Sequence, residues 1–230
     1  MSNKPLSLLL IGYGNMGRAL YSAWIKNGFS GDSIRVIDKN KGDSIDDIKD
    51  TPQVILLAVK PQSMDSLLPL LAEKFGDSPL YISIAAGKNV AYFESFLGKD
   101  AAIIRTMPNT PAQVGKGITA IFAGDKVNSE QKQIVQSLMQ AAGDTVWFDD
   151  ESLIDSATAI SGSGPAYVFL FLQSLVEAGV AQGLSEETAR KLAISTLIGS
   201  GELAKNSLES LDKLRDNVTS KGGTTAAAIS

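Results

Sequence analysis

The 230-residue chain contains neither cysteine nor histidine. Without cysteine there is no disulfide, no iron–sulfur cluster and no thiolate zinc site. Without histidine there is no Ser-His-Asp triad, no imidazole base and no imidazole ligand for haem. Any group that donates a proton in catalysis must therefore be a hydroxyl, an amine, a carboxyl group or water.

The chain also has no excess of positive charge, since 21 Lys and Arg stand against 25 Asp and Glu and the net charge is −4. This balance disfavours nucleic acid and anionic lipid as partners. The apolar stretch after Lys4 is short and lacks a cleavage site, and the apolar run 166–172 cannot span a bilayer. We therefore expect a cytoplasmic protein that binds neither nucleic acid nor a membrane.

Short apolar runs alternate with longer amphipathic ones in the first part of the chain, a pattern typical of βαβ units around a parallel sheet. The predicted strands are residues 6–11, 34–38, 54–59, 80–84, 103–107, 117–122 and 145–148. The predicted helices between them are residues 15–26, 63–75, 90–97 and 129–141, the last with Ser129 in its cap. After Asp149 the periodicity is helical, over residues 151–160, 165–182, 185–206 and 208–217.

This change of pattern predicts an α/β fold in two domains. Residues 1–149 form a Rossmann-type domain with a mainly parallel sheet, and residues 150–230 form an all-helical domain. Because no Pro- or Ser-rich linker separates them, we expect the two domains to pack closely.

A glycine motif of the form G-x-G-x-x-G follows the first predicted strand and opens the first predicted helix. In this context Gly12 permits a tight turn, Gly14 lets a pyrophosphate approach the backbone, and Gly17 lets helix and strand pack closely. The helix N-terminus adds amide donors and the positive end of its dipole. We predict that a dinucleotide binds the residues of the motif, which are Ile11, Gly12, Tyr13, Gly14, Asn15, Met16 and Gly17.

Asp38 ends the second predicted strand, 21 positions after Gly17. An acid at this place commonly bonds the adenosine ribose and favours NAD. Lys39 and Lys41 could instead meet a 2′-phosphate, so the local sequence is compatible with either cofactor. A simpler alternative is that Asp38 only caps the turn that follows.

Five further segments form a series along the chain. They are residues 58–62 (Ala-Val-Lys-Pro-Gln), 85–87 (Ala-Ala-Gly), 107–111 (Met-Pro-Asn-Thr-Pro), 161–167 (Ser-Gly-Ser-Gly-Pro-Ala-Tyr) and 217–225 (Asn-Val-Thr-Ser-Lys-Gly-Gly-Thr-Thr). With the glycine motif, they make nearly the whole chain resemble the pyrroline-5-carboxylate reductase family. The glycine motif alone is weak evidence for this family, whereas the last three of these segments, in this order, are highly specific for it.

The resemblance implies a Rossmann domain followed by a helical domain that dimerises by interleaving long helices. The implied reaction is the reduction of the cyclic imine 1-pyrroline-5-carboxylate to L-proline, the last step of proline biosynthesis. Its implied partners are this small-molecule substrate and further copies of the chain, in a homo-oligomer built on a dimer. The implied cofactor is NADPH, with NADH as the alternative.

The resemblance also assigns residues. Further cofactor contacts are implied at Ala58, Val59, Lys60, Pro61, Ala85, Ala86 and Asn217. The loop that ends in Gly223, Thr224 and Thr225 would hold the substrate carboxylate, and its exposed amides and hydroxyls suit that task. Glu151 matches a substrate-binding acid, and Thr158 matches a hydroxyl near the imine, which makes Thr158 the candidate catalytic residue.

Each assignment has a structural alternative. Lys60 could be a solvated loop lysine, and the Pro-rich segment around Asn109 could be a plain turn between two strands. Glu151 could complement a helix dipole, and Thr158 could be structural. The Gly222–Thr225 loop could be flexible and without a ligand.

Reduction of a protonated imine does not require histidine or cysteine. The enzyme has to align two bound molecules and favour the iminium form of the substrate. A hydroxyl such as that of Thr158 and a carboxylate such as that of Glu151 suffice for this. The sequence is therefore consistent with catalysis by positioning.

The chain departs from the family pattern in two places. Only residues 39–53 separate Asp38 from Val54, where relatives carry an additional helix and strand, so a cofactor contact from that region is in doubt. The sequence also stops at Ser230, where relatives continue through helices that help to build the dimer, which leaves open whether the helical domain is truncated.

Two other classes of protein compete with this interpretation. A β-hydroxyacid dehydrogenase would need a lysine on the helical domain, for which Lys191 is the candidate. A dinucleotide-binding regulatory module would need no substrate residues, and the presence of Glu151, Thr158 and the 222–225 loop argues against it.

Overall fold

The structure is a computed structural model, and it describes residues 6–38 and 44–229. The chain divides into two compact units, Met1–Pro165 and Ala166–Ser230. The predicted boundary at 149/150 follows the last strand, which ends at Phe148. Residues 150–165, which follow this strand, belong by their contacts to the first unit. The domain limits proposed from the sequence remain a prediction.

The first unit contains a seven-stranded sheet in the order β2-β1-β3-β4-β5-β6-β7. Its strands are β1 Leu8–Ile11, β2 Ile34–Ile37, β3 Val54–Leu57, β4 Leu80–Ser83, β5 Ala102–Pro108, β6 Gly117–Ala123 and β7 Gly143–Phe148. Strands β1 to β5 are parallel to one another, β6 is antiparallel to β5, and β7 is parallel to β6. The predicted α/β fold with a mainly parallel sheet is thus confirmed.

The helices of the first unit are α1 Asn15–Lys26, α2 Met64–Phe75, α3 Val90–Leu97, α4 Ser129–Gln140 and α5 Leu153–Ala157. A π-helical turn, Thr158–Gly162, follows α5 directly. The helix α6 begins at the end of this unit, and helices are the only regular elements in the described residues of the second unit. Its helices are α6 Gly164–Ala181, α7 Glu186–Asn206, α8 Leu211–Asn217 and α9 Thr224–Ile229.

The sheet is buried on both faces, which explains why its parallel strands are continuous apolar runs. Along β1, Leu8 and Leu10 join a cluster with α1 and α4, whereas Leu9 and Ile11 join a cluster with α2 and α3 on the other face. The period of two in a strand separates the two clusters. This two-sided core holds the carboxyl ends of the strands in a fixed arrangement.

The order of the strands reverses between β1 and β3. From β1 the chain first moves outward to β2 and then returns to pair β3 against the opposite edge of β1. In open α/β sheets, ligands bind in the crevice at such a switch point, outside the carboxyl ends of the strands. The glycine motif after β1 and the Ala-Val-Lys segment after β3 both lie at this point.

The predicted elements lie where the structure has them, with ends that shift by a few residues. Two predictions at helix starts were wrong in detail, because a different side chain caps each helix. Asn128, not Ser129, caps α4 through a reciprocal bond with Gln131. Ser210 caps α8, so that helix begins at Leu211 rather than residue 208.

The predicted helix 151–160 is also wrong in its form. The structure has one short helix, α5, and then the π-helical turn, in which the Ser163 amide donates to the Thr158 carbonyl over 2.9 Å. A wide turn of this kind is rare, and periodicity does not reveal it. The predicted 222–225 loop is shorter than expected, because Thr224 already begins α9.

Helix α6 in the second unit is strongly apolar and has no buried residue. Its aromatic side chains Tyr167, Phe169 and Phe171 are each more than half exposed. The helical run Leu153–Ala181 is also long and apolar enough to span a membrane, judged by length and composition alone. Core helices of water-soluble proteins meet the same criterion, so this is weak evidence for a membrane span.

Trp24 offers a test of the core. It is fully buried on α1, and its Nε1 donates to the Leu138 carbonyl of α4 over 2.8 Å. We expect Trp24→Phe to lower the free energy of unfolding by about 2 kcal/mol, because the carbonyl loses its partner and a void remains. Urea unfolding followed by circular dichroism measures this. Trp147→Phe, at a half-buried site, should lower the free energy of unfolding by less. Equal losses in the two variants would contradict the placement of Trp24 in the core.

Candidate active site

A cleft of about 990 Å³ opens at the carboxyl ends of β1, β2 and β3. Its walls include the predicted cofactor residues Ile11, Gly12, Tyr13, Gly14, Asp38, Ala58, Val59 and Lys60. These residues come from three separate strand ends, and the sheet topology alone brings them together. The cleft therefore lies at the switch point that the fold defines.

Two glycines of the motif are required by close packing. Gly12 has φ +100°, and a Cβ on it would stand 2.6 Å from the carbonyl oxygen of Ala58. A Cβ on Gly17 would collide with the carbonyl oxygen of Gly12. Helix α1 thus packs directly on the turn that precedes it, and the turn packs on the end of β3, as the motif predicts.

Gly14 has a different environment. It is the N-cap of α1, has φ −72°, and a Cβ on it would meet nothing within 4 Å. No side chain in the described part of the protein caps α1 at this residue. The first amides of α1 and the positive end of its dipole are therefore available to an anion in the cleft. Open space above Gly14 fits the approach of a pyrophosphate.

The other predicted contacts of this region are arranged around the cleft. Asn15, Met16 and Gly17 form the first turn of α1, and Pro61 begins a short 3₁₀ turn after Lys60. Lys39 and Lys41, the candidates for a 2′-phosphate, lie outside the described residues.

One wall of the cleft consists of residues that were not predicted from the sequence. It consists of Ser44, Ile45 and Asp46 and of a stripe on and just before α2, namely Ser63, Ser66, Leu67, Leu70, Glu73 and Lys74. The spacing of three and four along α2 is a helical face, and Leu70 on it is 54% exposed. This exposed leucine was the available signal. Lys74 joins the two parts of the wall, since its Nζ donates to the Asp46 carbonyl over 3.0 Å.

Ala85 and Ala86 follow β4 and do not line the cleft. Ala85 is buried, and its amide donates to the Ser83 hydroxyl over 3.1 Å. The turn then passes through Gly87, at φ +70°, to Lys88. The structure brings the two alanines to the same edge of the sheet as the cleft, and their role as cofactor contacts remains a prediction.

A cluster beside this turn joins α2 to α3. The Tyr92 hydroxyl donates to Asp65 Oδ1 over 2.5 Å, and Lys88 Nζ lies 3.8 Å from the centre of the Tyr92 ring. Burial, and then the bond to Asp65, raise the pKa of Tyr92 to about 12. The phenol therefore stays protonated at neutral pH and acts as a donor that holds α2 against α3.

Arg105 on β5 is a buried charge that the sequence analysis did not single out. Its side chain is 5% exposed, and its guanidinium lies 2.9 Å from Glu151 Oε1 and 3.4 Å from Asp155 Oδ1. A buried charge is retained only with such partners. The available signal was a single arginine inside an otherwise apolar predicted strand.

Glu151, the predicted substrate-binding acid, is 26% exposed. Its Oε1 accepts from the guanidinium of Arg105 and, over 2.7 Å, from the amide of Val90, the first residue of α3. The carboxylate thus complements the dipole of a helix, as the alternative expectation held, but the helix is α3 rather than its own. Its role as a substrate ligand remains a prediction.

Thr158, the predicted catalytic residue, is half-buried at the start of the π-helical turn. Its hydroxyl donates to the Ile154 carbonyl over 2.7 Å. Asn109 supports the other end of the same turn, because its Nδ2 donates to the Ser161 carbonyl over 3.1 Å and its Oδ1 accepts from the Ile118 amide. Asn109 is therefore more than a turn residue.

The remaining predicted residues belong to the second unit. Asn217 ends α8, and its Nδ2 donates to Glu209 Oε2 over 2.9 Å. Gly222 has φ +74°, a conformation that favours glycine, whereas a Cβ on Gly223 would approach the Ser220 hydroxyl, which can rotate away. Thr224 and Thr225 then open α9. Lys191, the candidate of the rival dehydrogenase interpretation, is exposed on α7.

The fold and the cleft together define a class. A doubly wound sheet, a glycine motif at its switch point and an uncapped helix N-terminus are the features of a Rossmann-type oxidoreductase that binds a dinucleotide. Residues 7–87 match the family described as NADP oxidoreductase coenzyme F420-dependent. Residues 151–230 match the family described as Pyrroline-5-carboxylate reductase dimerisation.

Comparison with known proteins narrows the class. The pyrroline-5-carboxylate reductase of Pseudomonas aeruginosa is 37% identical over 96% of this chain and 86% of its own length. The structure of a pyrroline-5-carboxylate reductase from Coxiella burnetii has a TM-score of 0.87 and 36% identity, over 98% of this chain and 89% of that one. The chain belongs to the pyrroline-5-carboxylate reductase family.

A further solved relative bears on the cofactor. The crystal structure of Plasmodium falciparum pyrroline carboxylate reductase was determined with NADP bound. It is 33% identical to this chain, with a TM-score of 0.85 over all of this chain and 89% of that one.

Substitutions at two glycines distinguish an effect on folding from an effect on cofactor binding. We expect Gly17→Ala to lower the free energy of unfolding by about 1–3 kcal/mol, because its Cβ collides with backbone that cannot yield easily. Gly14→Ala should leave the thermal midpoint unchanged and weaken NADPH binding by roughly tenfold, since its methyl group enters the space that a pyrophosphate would use. Thermal unfolding and titration of NADPH fluorescence measure the two effects.

The matched control is Gly31→Ala, because Gly31 is exposed and a Cβ there meets only side-chain atoms at 3.7 Å or more. Gly31→Ala should change neither the stability of the fold nor the affinity for NADPH. Unaltered NADPH binding in Gly14→Ala would show that no pyrophosphate lies above this residue.

Proposed function

We propose that the protein reduces 1-pyrroline-5-carboxylate to L-proline with NADPH, through the residues assigned below. The observation that carries the proposal is the uncapped N-terminus of α1 at the switch point of a chain that belongs to this reductase family. In the reaction, hydride adds to the imine carbon and the nitrogen keeps the proton that made it an iminium. The products are proline and NADP⁺.

The cofactor site is the cleft at the ends of β1, β2 and β3. Its fit to a dinucleotide rests on the space above Gly14, which any side chain would fill, and on the amides of α1 that face it. Ile11 to Gly17, Asp38, Ala58 to Pro61, Ala85, Ala86 and Asn217 are the proposed contacts. When bound, NADPH supplies the hydride.

NADPH is the proposed donor, and NADH is the alternative. The bound NADP in the Plasmodium falciparum relative supports the phosphorylated form. Asp38 lies in the wall of the cleft, where an acid usually meets the ribose of NAD. The preference therefore depends on basic groups near this acid, for which Lys39 and Lys41 are the candidates from the sequence.

Thr158 is the proposed catalytic residue. Its hydroxyl hydrogen is already donated to the Ile154 carbonyl, so the oxygen presents its lone pairs as an acceptor. An acceptor favours the protonated imine, whose N–H would donate to it, over the neutral imine. The residue would thus stabilise the electrophilic form of the substrate without itself transferring a proton.

The proposed substrate ligands are Glu151, Gly223, Thr224 and Thr225. Loop amides and hydroxyls suit a carboxylate, and the positive φ of Gly222 favours glycine in this turn. Oε1 of Glu151 is held by Arg105 and Val90. Its second oxygen is the one that we assign to the substrate.

We further propose a homodimer, formed through the second unit. An 18-residue helix that buries none of its apolar residues within its own chain needs a cover, since large exposed apolar patches mark interfaces. The dimerisation family that matches residues 151–230 supports a second copy as that cover. On this basis α6 belongs to an interface and the protein is cytoplasmic.

The proposed function is tested by NADPH oxidation at 340 nm with 1-pyrroline-5-carboxylate as substrate, repeated with NADH. We expect turnover with either cofactor, with a lower KM for NADPH, and proline as the product by amino-acid analysis. Folded, dimeric protein without turnover would refute the activity.

The role of Thr158 is tested by Thr158→Val, which keeps the shape of the side chain and removes the hydroxyl. We expect kcat to fall on the order of 10- to 100-fold, while the Kd for NADPH stays the same, because the hydroxyl acts on the imine alone. The control is Thr51→Val, since Thr51 is exposed and precedes β3 at the amino end of the sheet. Wild-type turnover in Thr158→Val would exclude a role for its hydroxyl.

A further inference from the structure

Three alternate residues of β5 and its continuation, Arg105, Met107 and Asn109, contact the segment that carries Thr158. We propose that Arg105 is a positioning residue for the reaction: it holds α5 and the π-helical turn on the sheet, and so sets the place of the Thr158 hydroxyl. This inference rests on the proposed function, because it assigns a purpose to the position of Thr158. We assign Arg105 itself, which is buried, no contact with the substrate.

The geometry of β5 supports the proposal. Side chains two apart in a strand point to the same face, so Arg105, Met107 and Asn109 form one row. Arg105 binds Glu151 and Asp155, Met107 packs in a cluster with Ile154, and Asn109 binds the Ser161 carbonyl. Arg105 and Met107 therefore attach the segment before Thr158, and Asn109 attaches it after Thr158.

Few bonds separate the Arg105 guanidinium from the Thr158 hydroxyl. Glu151 and Asp155, the two carboxylates on Arg105, flank Ile154 in sequence, and the Ile154 carbonyl accepts from Thr158 Oγ1 over 2.7 Å. A shift of α5 would move this carbonyl and the hydroxyl bound to it. A displacement of about 1 Å at a reacting group can cost on the order of 100-fold in rate.

The shape of the segment explains why it needs support. A π-helical turn has looser hydrogen bonding than an α-helix and is common at functional sites. Here it begins at Thr158, and a Cβ on Gly162 would stand 3.2 Å from the Thr158 Cγ2 atom. External bonds from β5 hold this conformation, which the five residues of α5 would not impose by themselves.

Arginine suits this position better than lysine. Its planar guanidinium presents separate donors, and here Nη1 binds Glu151 while Nη2 binds Asp155. A lysine at residue 105 could keep the charge and one of the two bonds. The charge-conserving variant therefore separates positioning from the mere presence of a positive charge.

The experiment compares Arg105→Met, Arg105→Lys and a control, Lys126→Met. Lys126 forms an ion pair with Asp100 at 2.8 Å, but its side chain is 48% exposed. For Arg105→Met we expect kcat to fall on the order of 10- to 100-fold, with a KM for NADPH within about twofold of wild type. Arg105→Lys should recover part of the lost kcat, and Lys126→Met should have the kcat of the wild type.

A double variant distinguishes positioning from a general loss of structure. If Arg105 acts through Thr158, then Arg105→Met adds little once the hydroxyl is gone, and Arg105→Met with Thr158→Val should turn over like Thr158→Val alone. A purely structural role would multiply the two losses. Multiplied losses, or unchanged kcat in Arg105→Met, would overturn the proposal.

Hydrogen exchange measures the attachment without turnover. Peptides that cover residues 153–163 should exchange faster in Arg105→Met than in wild type or Lys126→Met. If the wild-type protein does not reduce the imine, the proposed function fails and exchange alone decides whether Arg105 holds this segment; equal exchange would refute it. If Arg105→Met does not fold, Asp155→Asn, which keeps the shape and weakens the ion pair with Arg105, replaces it in each measurement under the same criteria.

Discussion

The packing of α1 on the backbone of its own preceding turn is the constraint on which the cofactor site depends. Gly17 lies against the carbonyl of Gly12, and Gly12 lies against the carbonyl of Ala58, so three chain segments meet with no side chain between them. This contact places the N-terminus of α1 at the switch point and leaves Gly14 open. A methyl group at either packed glycine would separate the helix from the sheet, and the amides would no longer converge on the cleft.

A second constraint acts on the substrate side. The buried charge of Arg105 has to be neutralised, and the carboxylates that do this come from the segment that ends in Thr158. Electrostatic compensation of Arg105 thereby fixes the segment that carries Thr158, the residue that we propose to be catalytic. This arrangement suits a chain without histidine or cysteine, because a hydroxyl has little acid or base strength of its own and acts through its position. The missing residues leave hydroxyl, amine and carboxyl groups and water as proton donors. Among these groups, we propose that the Thr158 hydroxyl acts through its placement.

Local rules explain which parts of the fold were predictable. Helix α1 was predicted with its observed limits, because the glycine motif and the apolar face agree on where it begins. The start of α4 was misjudged because Asn128 and Ser129 are both good caps, and only the reciprocal bond with Gln131 decides between them. The π-helical turn had no local signature at all, since its bonds to β5 come from residues about fifty positions away.

Glycine spacing, alternating periodicity and the series of specific segments determined, without coordinates, the Rossmann-type fold, the reductase family and the residues at three strand ends. These are properties of neighbours in the chain or of a pattern read along it. Only the tertiary structure decided that α2 supplies a wall of the cleft, that Glu151 is bound by Arg105 and by the N-terminus of α3, and that the Thr158 hydroxyl donates to the Ile154 carbonyl. Burial and hydrogen-bond partners depend on which distant segments the sheet brings together, and no local pattern encodes that choice.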